Sequence, residues 1–335
     1  MENCVQNIIE HLGDDLSRTV FASRIGYNLT RDSRYIGELR QTIPEVKSLI
    51  SIPYGPAYIF GCGNYGTVTQ TSIKMDWQGY SDNDSQKWGG YKEGLKIYPP
   101  EELPCDAIIY IANKNDHEEI KHQLLSLGHP QDHLIDVGAV VINCQEIQYF
   151  DLPYLPKVER ECFVDAGVLD GATSMRFLKW AGERVEHVYC FEPDTACAKE
   201  SWKNLADIAG TDVITIVEKA LWSKPSTLHF TMGIGRGCSR VADTGVDIEA
   251  TSLDEAIGDK RVTFIKMDIE GSESEAIKGA AHIIRTQRPK LAICLYHRPE
   301  DIIELPALVL SLVPDYRLYM RHYTFHSGET ILYAV

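Results

Sequence analysis

Residues able to do chemistry gather at a few places in the second half of the chain. The first is Phe163-Val164-Asp165-Ala166-Gly167-Val168-Leu169-Asp170-Gly171, continued by Ala172-Thr173-Ser174. The apolar run Cys162-Phe163-Val164 predicts a buried strand. Gly167 and Gly171 predict a tight turn that a ligand can approach closely, and 172–181 a helix whose free N–H groups face that turn. The second is Phe191-Glu192-Pro193-Asp194, with Glu192 at the tip of the next expected strand, 21 residues past Gly171 (192 − 171). A carboxylate there can accept both hydroxyls of a ribose in charge-assisted hydrogen bonds. The third is Lys266-Met267-Asp268-Ile269-Glu270-Gly271, which sets three ionisable groups at a further strand tip. Past another strand, Leu295-Tyr296-His297 adds an imidazole whose ordinary pKa suits proton transfer.

The spacing in the first loop is GxxxG, with Asp165 before one glycine and Asp170 before the other. Two carboxylates repel a pyrophosphate. They tolerate a ligand with an ammonium, a sulfonium and a ribose, and S-adenosylmethionine is such a ligand. A group at these strand tips could also take a proton from a reacting molecule, and Asp268, Glu270 and His297 are the candidates. Asp268 and Glu270 offer oxygen ligands of the kind a divalent cation takes, but no metal is expected.

These groups need strands that end side by side. Strands over 162–166, 187–192, 213–218, 227–232, 262–268 and 290–296 alternate with helices over 172–181, 194–205, 272–285 and 299–311. Two extended runs, 316–323 and 329–335, close the chain. Such alternation predicts an α/β fold, a doubly wound parallel sheet with a terminal antiparallel hairpin. Ser252 and Glu255 have capping-box spacing for a short helix. Gly233–Gly237 has loop chemistry, flanked by Arg236 and Arg240.

The first half repeats the theme without a catalytic set. Residues 1–50 read as helices, with Asp14 or Asp15 capping the second, packed on the adjoining domain or forming a homo-oligomer contact. Residues 51–137 read as a small Rossmann-like domain: Gly61, Gly63 and Gly66 have GxGxxG spacing after a strand, and Ser81-Asp82-Asn83-Asp84 brings carboxylates about 20 positions on. This domain resembles the small nucleotide-binding domains that precede sugar-modifying enzymes. Residues 138–160, with Pro153 and Pro156, read as a connector, and 161–335 as the second Rossmann-like domain.

The second half closely resembles the FkbM family of S-adenosylmethionine-dependent methyltransferases. The match rests on Phe163–Gly167, Asp170–Ser174, Phe191–Asp194, Lys219-Ala220-Leu221-Trp222, Ser252-Leu253-Asp254, Ile265–Gly271, and Glu275 with Lys278-Gly279-Ala280. It covers about residues 150–335. It implies a class I methyltransferase fold acting on a hydroxyl of a sugar, glycan or natural product. With the resemblance, the expected cofactor-binding set is Asp165, Gly167, Asp170, Gly171, Ser174, Glu192, Ala220 and Asp268. The alternative is a nucleotide-sugar or NAD-dependent enzyme using the first Rossmann-like domain, or a non-catalytic binding module.

Composition narrows the partners. With 33 basic against 48 acidic residues the net charge is −15, so no nucleic-acid partner is expected. No apolar run reaches the roughly 18 residues of a membrane span. Nine cysteines, several inside apolar runs and none in a CxxC pair, suit a cytoplasmic protein with reduced thiols.

Overall fold

Apolar strands alternating with helices build two units in the computed structural model, which describes residues 2–231, 240, 241 and 244–335, without the side chains of Glu2, Ala209 and Arg240. One unit comprises Met1–Tyr35, Tyr149–His322 and Gly328–Val335; the other comprises Ile36–Gln148 and Tyr323–Ser327. The glycine-rich loop with Arg236 lies outside the described residues.

Four helices begin the chain: α1 (Glu2–His11), α2 (Asp15–Thr30), α3 (Ser33–Gln41) and α4 (Pro44–Ile50). Asp14 caps α2, its Oδ1 accepting the Ser17 N–H at 2.8 Å. Ile8, Leu12, Val20 and Phe21, which belong to the first unit, are buried, and so are Leu39, Val46 and Leu49 of the second. These apolar positions are used inside the chain, so they give the expected oligomer contact no support.

The second unit continues with β1 (Pro56–Phe60), α5 (Asn64–Ser72), β2 (Asp76–Ser81), β3 (Tyr91–Lys92), β4 (Leu95–Tyr98), β5 (Ile108–Ile111), α6 (His117–Ser126), β6 (Leu134–Asp136) and α7 (Val137–Ile147). The sheet order is β3-β4-β2-β1-β5-β6. Phe60, Ile109, Ile111, Ile120 and Leu124 form one of its cores. The stretch read as a connector therefore opens with a helix, α7. Its Val and Ile residues favour strands, but the Asp136 carboxylate accepts the Ala139 N–H at 2.8 Å and starts a helical turn.

The first unit then runs through β7 (Glu161–Ala166), α8 (Ala172–Ala181), β8 (Val185–Phe191), α9 (Thr195–Ala209) and β9 (Ile214–Val217). Next come β10 (Ala220–Leu221), β11 (Ser226–Thr231), β12 (Arg240–Val241), β13 (Val246–Thr251) and α10 (Leu253–Ile257). The chain closes with β14 (Phe264–Met267), α11 (Glu273–Gly279), α12 (Ala281–Gln287), β15 (Lys290–Cys294), α13 (Asp301–Leu312), β16 (Leu318–His322) and β17 (Thr330–Ala334). The large sheet has the order β16-β17-β15-β14-β7-β8-β9, and β10, β13, β11 and β12 make a small separate sheet. The hairpin is present, but β17 slots between β15 and β16, antiparallel to both. Every residue of β7, β14, β15 and β17 is buried, as strands covered on both faces require. Ser252 caps α10, accepting the Glu255 N–H at 3.3 Å. Among the described residues no helix is long and apolar enough to cross a membrane.

From β7 the chain moves outward to β8 and β9, then returns to the other side of β7 as β14. The reversal leaves a crevice at the carboxyl ends of β7 and β14, where open α/β sheets take ligands.

Candidate active site

The loop after β7 lies directly against the end of β14. Gly167 has φ +81°, and a Cβ there would sit 2.1 Å from the Asp268 carbonyl oxygen. Glycine alone permits both that conformation and that approach. Below the loop, Lys266 on β14 donates to the Asp165 carboxylate at 3.0 Å, the Ala166 carbonyl at 3.2 Å and the Gly167 carbonyl at 2.8 Å. The Ser174 hydroxyl donates to the other Asp165 oxygen at 2.7 Å. Burial works against the Lys266 charge, but Asp165 and Asp268 outweigh it and raise its pKa. Asp165 and Ser174 are thus both fully buried, where they pin the loop. Asp170 also works on the loop. Its Oδ1 accepts the Ala172 N–H at 3.0 Å, and its carbonyl accepts from Asn204 at 2.9 Å. Gly171, at φ +87°, turns the chain into α8.

Gly167, Glu192, Ala220, Asp268 and Glu270 line the cleft above this loop, together with Leu169, which was not in the expected cofactor-binding set. Asp165, Asp170, Gly171, Ser174 and His297 stand outside that lining. Leu169 adopts φ +53°, a left-handed conformation uncommon for a side chain of this kind. Its N–H is thereby 3.2 Å from Glu192 Oε2, while Glu192 Oε1 accepts the Asp194 N–H at 3.0 Å. Burial raises the Glu192 pKa, partly offset by these two bonds. The bonds fix the carboxylate plane and leave lone pairs on both oxygens for a diol. Phe191, Pro193, Leu221 and Phe230 make an apolar wall, suited to the face of a purine. The carboxylate, the close glycine turn and this wall fit S-adenosylmethionine.

Two strand spacings away, about 10 Å, a second group of side chains converges at the tips of β14 and β15. Asp268 accepts from the Tyr149 hydroxyl at 3.1 Å and from the Tyr296 hydroxyl at 3.0 Å. His297 Nε2 lies 3.4 Å from Asp268 Oδ1 and 3.6 Å from Glu270 Oε2, and its Nδ1 lies 2.9 Å from Glu273 Oε1. Burial opposes the imidazolium, but Glu273, Asp268 and Glu270 outweigh it and raise the His297 pKa to about 9. Burial also pushes Asp268 up, but Lys266 and His297 prevail and hold it below the usual carboxylate value. Near neutral pH the imidazole is therefore charged, and the ordinary pKa assumed from sequence does not apply.

Sequence reasoning missed Glu273, Tyr149 and Tyr296. Glu273 reads as an ordinary helix-start carboxylate, yet it is 1% exposed and also accepts the Ile269 N–H at 2.9 Å. Tyr149 sits 119 residues from Asp268, where no spacing rule reaches it. Asp268, Glu273 and His297 bring ligand atoms within 4.8 Å of one another, as do His117, Glu118 and Asp136 in the second unit. In the first set a cation would compete with the imidazole proton.

Residues 165–327 match the family model described as Methyltransferase FkbM domain. This stretch of the chain is an S-adenosylmethionine-dependent methyltransferase domain of that family, and the protein is a methyltransferase. A solved FkbM methyltransferase of Methylobacillus flagellatus is similar over 96% of this chain and 99% of its own, with a TM-score of 0.54 and 20% identity, a likeness of fold. Fibrillarin of Aeropyrum pernix, solved with natively bound S-adenosyl-L-methionine, aligns over 59% of this chain and 73% of its own at 12% identity and a TM-score of 0.37. No curated protein sequence matches the chain.

Proposed function

We propose that the protein methylates a hydroxyl group of a sugar, glycan or natural-product acceptor. The observation that carries this reading is the carboxylate pair, Asp268 and Glu270, lining the same cleft as Glu192. Glu192 holds the ribose, and the wall of Phe191, Leu221 and Phe230 holds the base. S-adenosylmethionine, when bound, supplies an electrophilic methyl on sulfur.

The proton of the acceptor hydroxyl goes to Asp268. His297 is already charged near neutral pH, so it keeps Asp268 and Glu270 ionised together rather than taking a proton itself. Glu270 has φ +54°, and this strained turn at the strand tip directs its carboxylate toward the cleft. Tyr149 and Tyr296 fix the Asp268 carboxylate, so it meets the hydroxyl in one orientation, and positioning of this kind supplies much of the rate. A carboxylate is a sufficient base because the alcohol becomes strongly acidic as its oxygen bonds to carbon. The acidic surface disfavours nucleic-acid acceptors. The reduced cysteines, three of them fully or nearly fully buried in β7, β8 and β15, support a cytoplasmic setting.

The test is transfer of a 13C-labelled methyl to a panel of sugars, nucleotide-sugars and hydroxylated natural products, with NMR reading the atom it joins. An ether methyl supports the reading, and an N- or C-methyl product contradicts it. Asp268→Asn should lower kcat by on the order of 100-fold with little change in donor affinity.

A further inference from the structure

We propose that the second unit carries its own ligand site, for a ribonucleoside without phosphate, in a cleft whose carboxylate Asp82 accepts the ribose hydroxyls.

The cleft lies at a topological switch point. The chain goes from β1 to β2 on one side and returns to the other side of β1 as β5. The opening measures about 390 Å3 and is lined by Gly61, Asp82, Asn113, Asp116, Glu119 and Gln123, among others, a volume within the range of small-ligand sites.

Asp82 repeats the arrangement of Glu192. Each carboxylate immediately follows the second strand of its unit. Asp82 Oδ2 accepts the N–H of Cys62, in the glycine loop after β1, at 2.8 Å, and Oδ1 accepts the Asp84 N–H at 2.9 Å. Glu192 likewise takes one N–H from its glycine loop and one from two residues on. The same two contacts hold an acid in the same place on two separate sheets.

The glycines separate packing from binding. A Cβ on Gly66 would meet the Gly61 carbonyl at 2.1 Å, and one on Gly61, at φ +114°, would meet the Ala112 carbonyl at 2.8 Å. Close packing accounts for both. Gly63 has an ordinary φ of −78° and nothing within 4 Å of a Cβ. Packing does not require glycine there; Gly63 adjoins Cys62, whose N–H meets Asp82, and is not itself among the residues that line the opening.

Charge sets the ligand class. Asp82, Asp116 and Glu119 all line the opening, and a pyrophosphate would meet three carboxylates. Lys87 bridges both Asp82 oxygens at 3.1 Å, with the lysine end 41% exposed and the Asp82 end 14% exposed. The lysine end is free to swing into solvent, and ribose hydroxyls can take its place on the carboxylate.

The experiment is equilibrium dialysis of adenosine, guanosine, cytidine and uridine against the full chain carrying Glu192→Ala, which disables the donor cleft. One equivalent of at least one nucleoside should remain bound. Adding Asp82→Asn should weaken that binding at least 10-fold, and adding Gly63→Leu should abolish it. Gly63→Leu tests the site even if Asp82→Asn fails to fold, because the position accepts a side chain without strain. The corresponding 5′-monophosphate and NADH should bind at least 10-fold more weakly. Retention of none of the four, retention untouched by Gly63→Leu in folded protein, or equal binding of the phosphorylated ligands would overturn the proposal.

Discussion

His297 sits among three carboxylates with 8% of its side chain exposed, and this has a consequence for stability. Its pKa rises from 6.5 in the unfolded chain to about 9 in the fold. The folded protein therefore binds that proton more tightly than the unfolded chain does. The resulting stabilisation is fully present below about pH 6.5 and is lost as pH rises through about 9. Urea unfolding should show stability falling by on the order of 2–3 kcal/mol across that window. His297→Gln should start lower and stay nearly flat. An unchanged slope in the variant would show that the imidazole is not the titrating group. Glu273 is the principal partner in this shift, and it was not legible in the sequence because its burial depends on the turn of Ile269–Gly271. The place of Glu192 was legible: a carboxylate just past the second strand of the unit comes to line the cleft. The side chains bonded to Asp268 were not, because Tyr149 and Tyr296 converge on it only once the sheet is formed.

The element that positions the site is the pair of loops after β7 and β14, and the Lys266–Asp165 pair ties them together. Removing one partner of a buried ion pair leaves an uncompensated charge and costs about 3–5 kcal/mol. Lys266→Met should lower the unfolding free energy by that amount in denaturant melts, and adding Asp165→Asn should restore part of it. A loss below about 1 kcal/mol in Lys266→Met would mean that other contacts hold the loops. Gly167→Ala should lose donor binding as well as stability, because its Cβ collides with backbone that cannot move independently of β14. Most strands and helices of this unit lay where their apolar patterns place them, α8 over 172–181 among them. The helix expected over 272–285 divides at Ala280 into α11 and α12. The roles of Asp165 and Ser174 were harder to read. A polar residue beside a glycine loop can face the ligand or the core, and only the position of Lys266 on the neighbouring strand decides.

At the scale of the whole chain, two Rossmann-like units each end their strands in a glycine loop and a carboxylate, but only the first also gathers Asp268, Glu270 and His297. The acidic excess, −15 overall, opposes phosphate-rich partners. Filter binding with RNA or DNA oligonucleotides should detect no complex even at low salt, where such contacts are strongest. The βα order made the two sheets legible, whereas the small sheet of β10 to β13 was legible only at β11, the run expected over 227–232: β10 and β12 are two residues each, too short to leave a pattern.

The most direct measurement is calorimetric titration of the full chain with S-adenosylhomocysteine, beside the same titration of Glu192→Ala. Micromolar binding to the native chain is expected, with a loss of at least 10-fold in the variant, about the worth of charge-assisted bonds to a diol. No binding to the native chain, or equal binding to both, would contradict the placement of the methyl donor against Glu192.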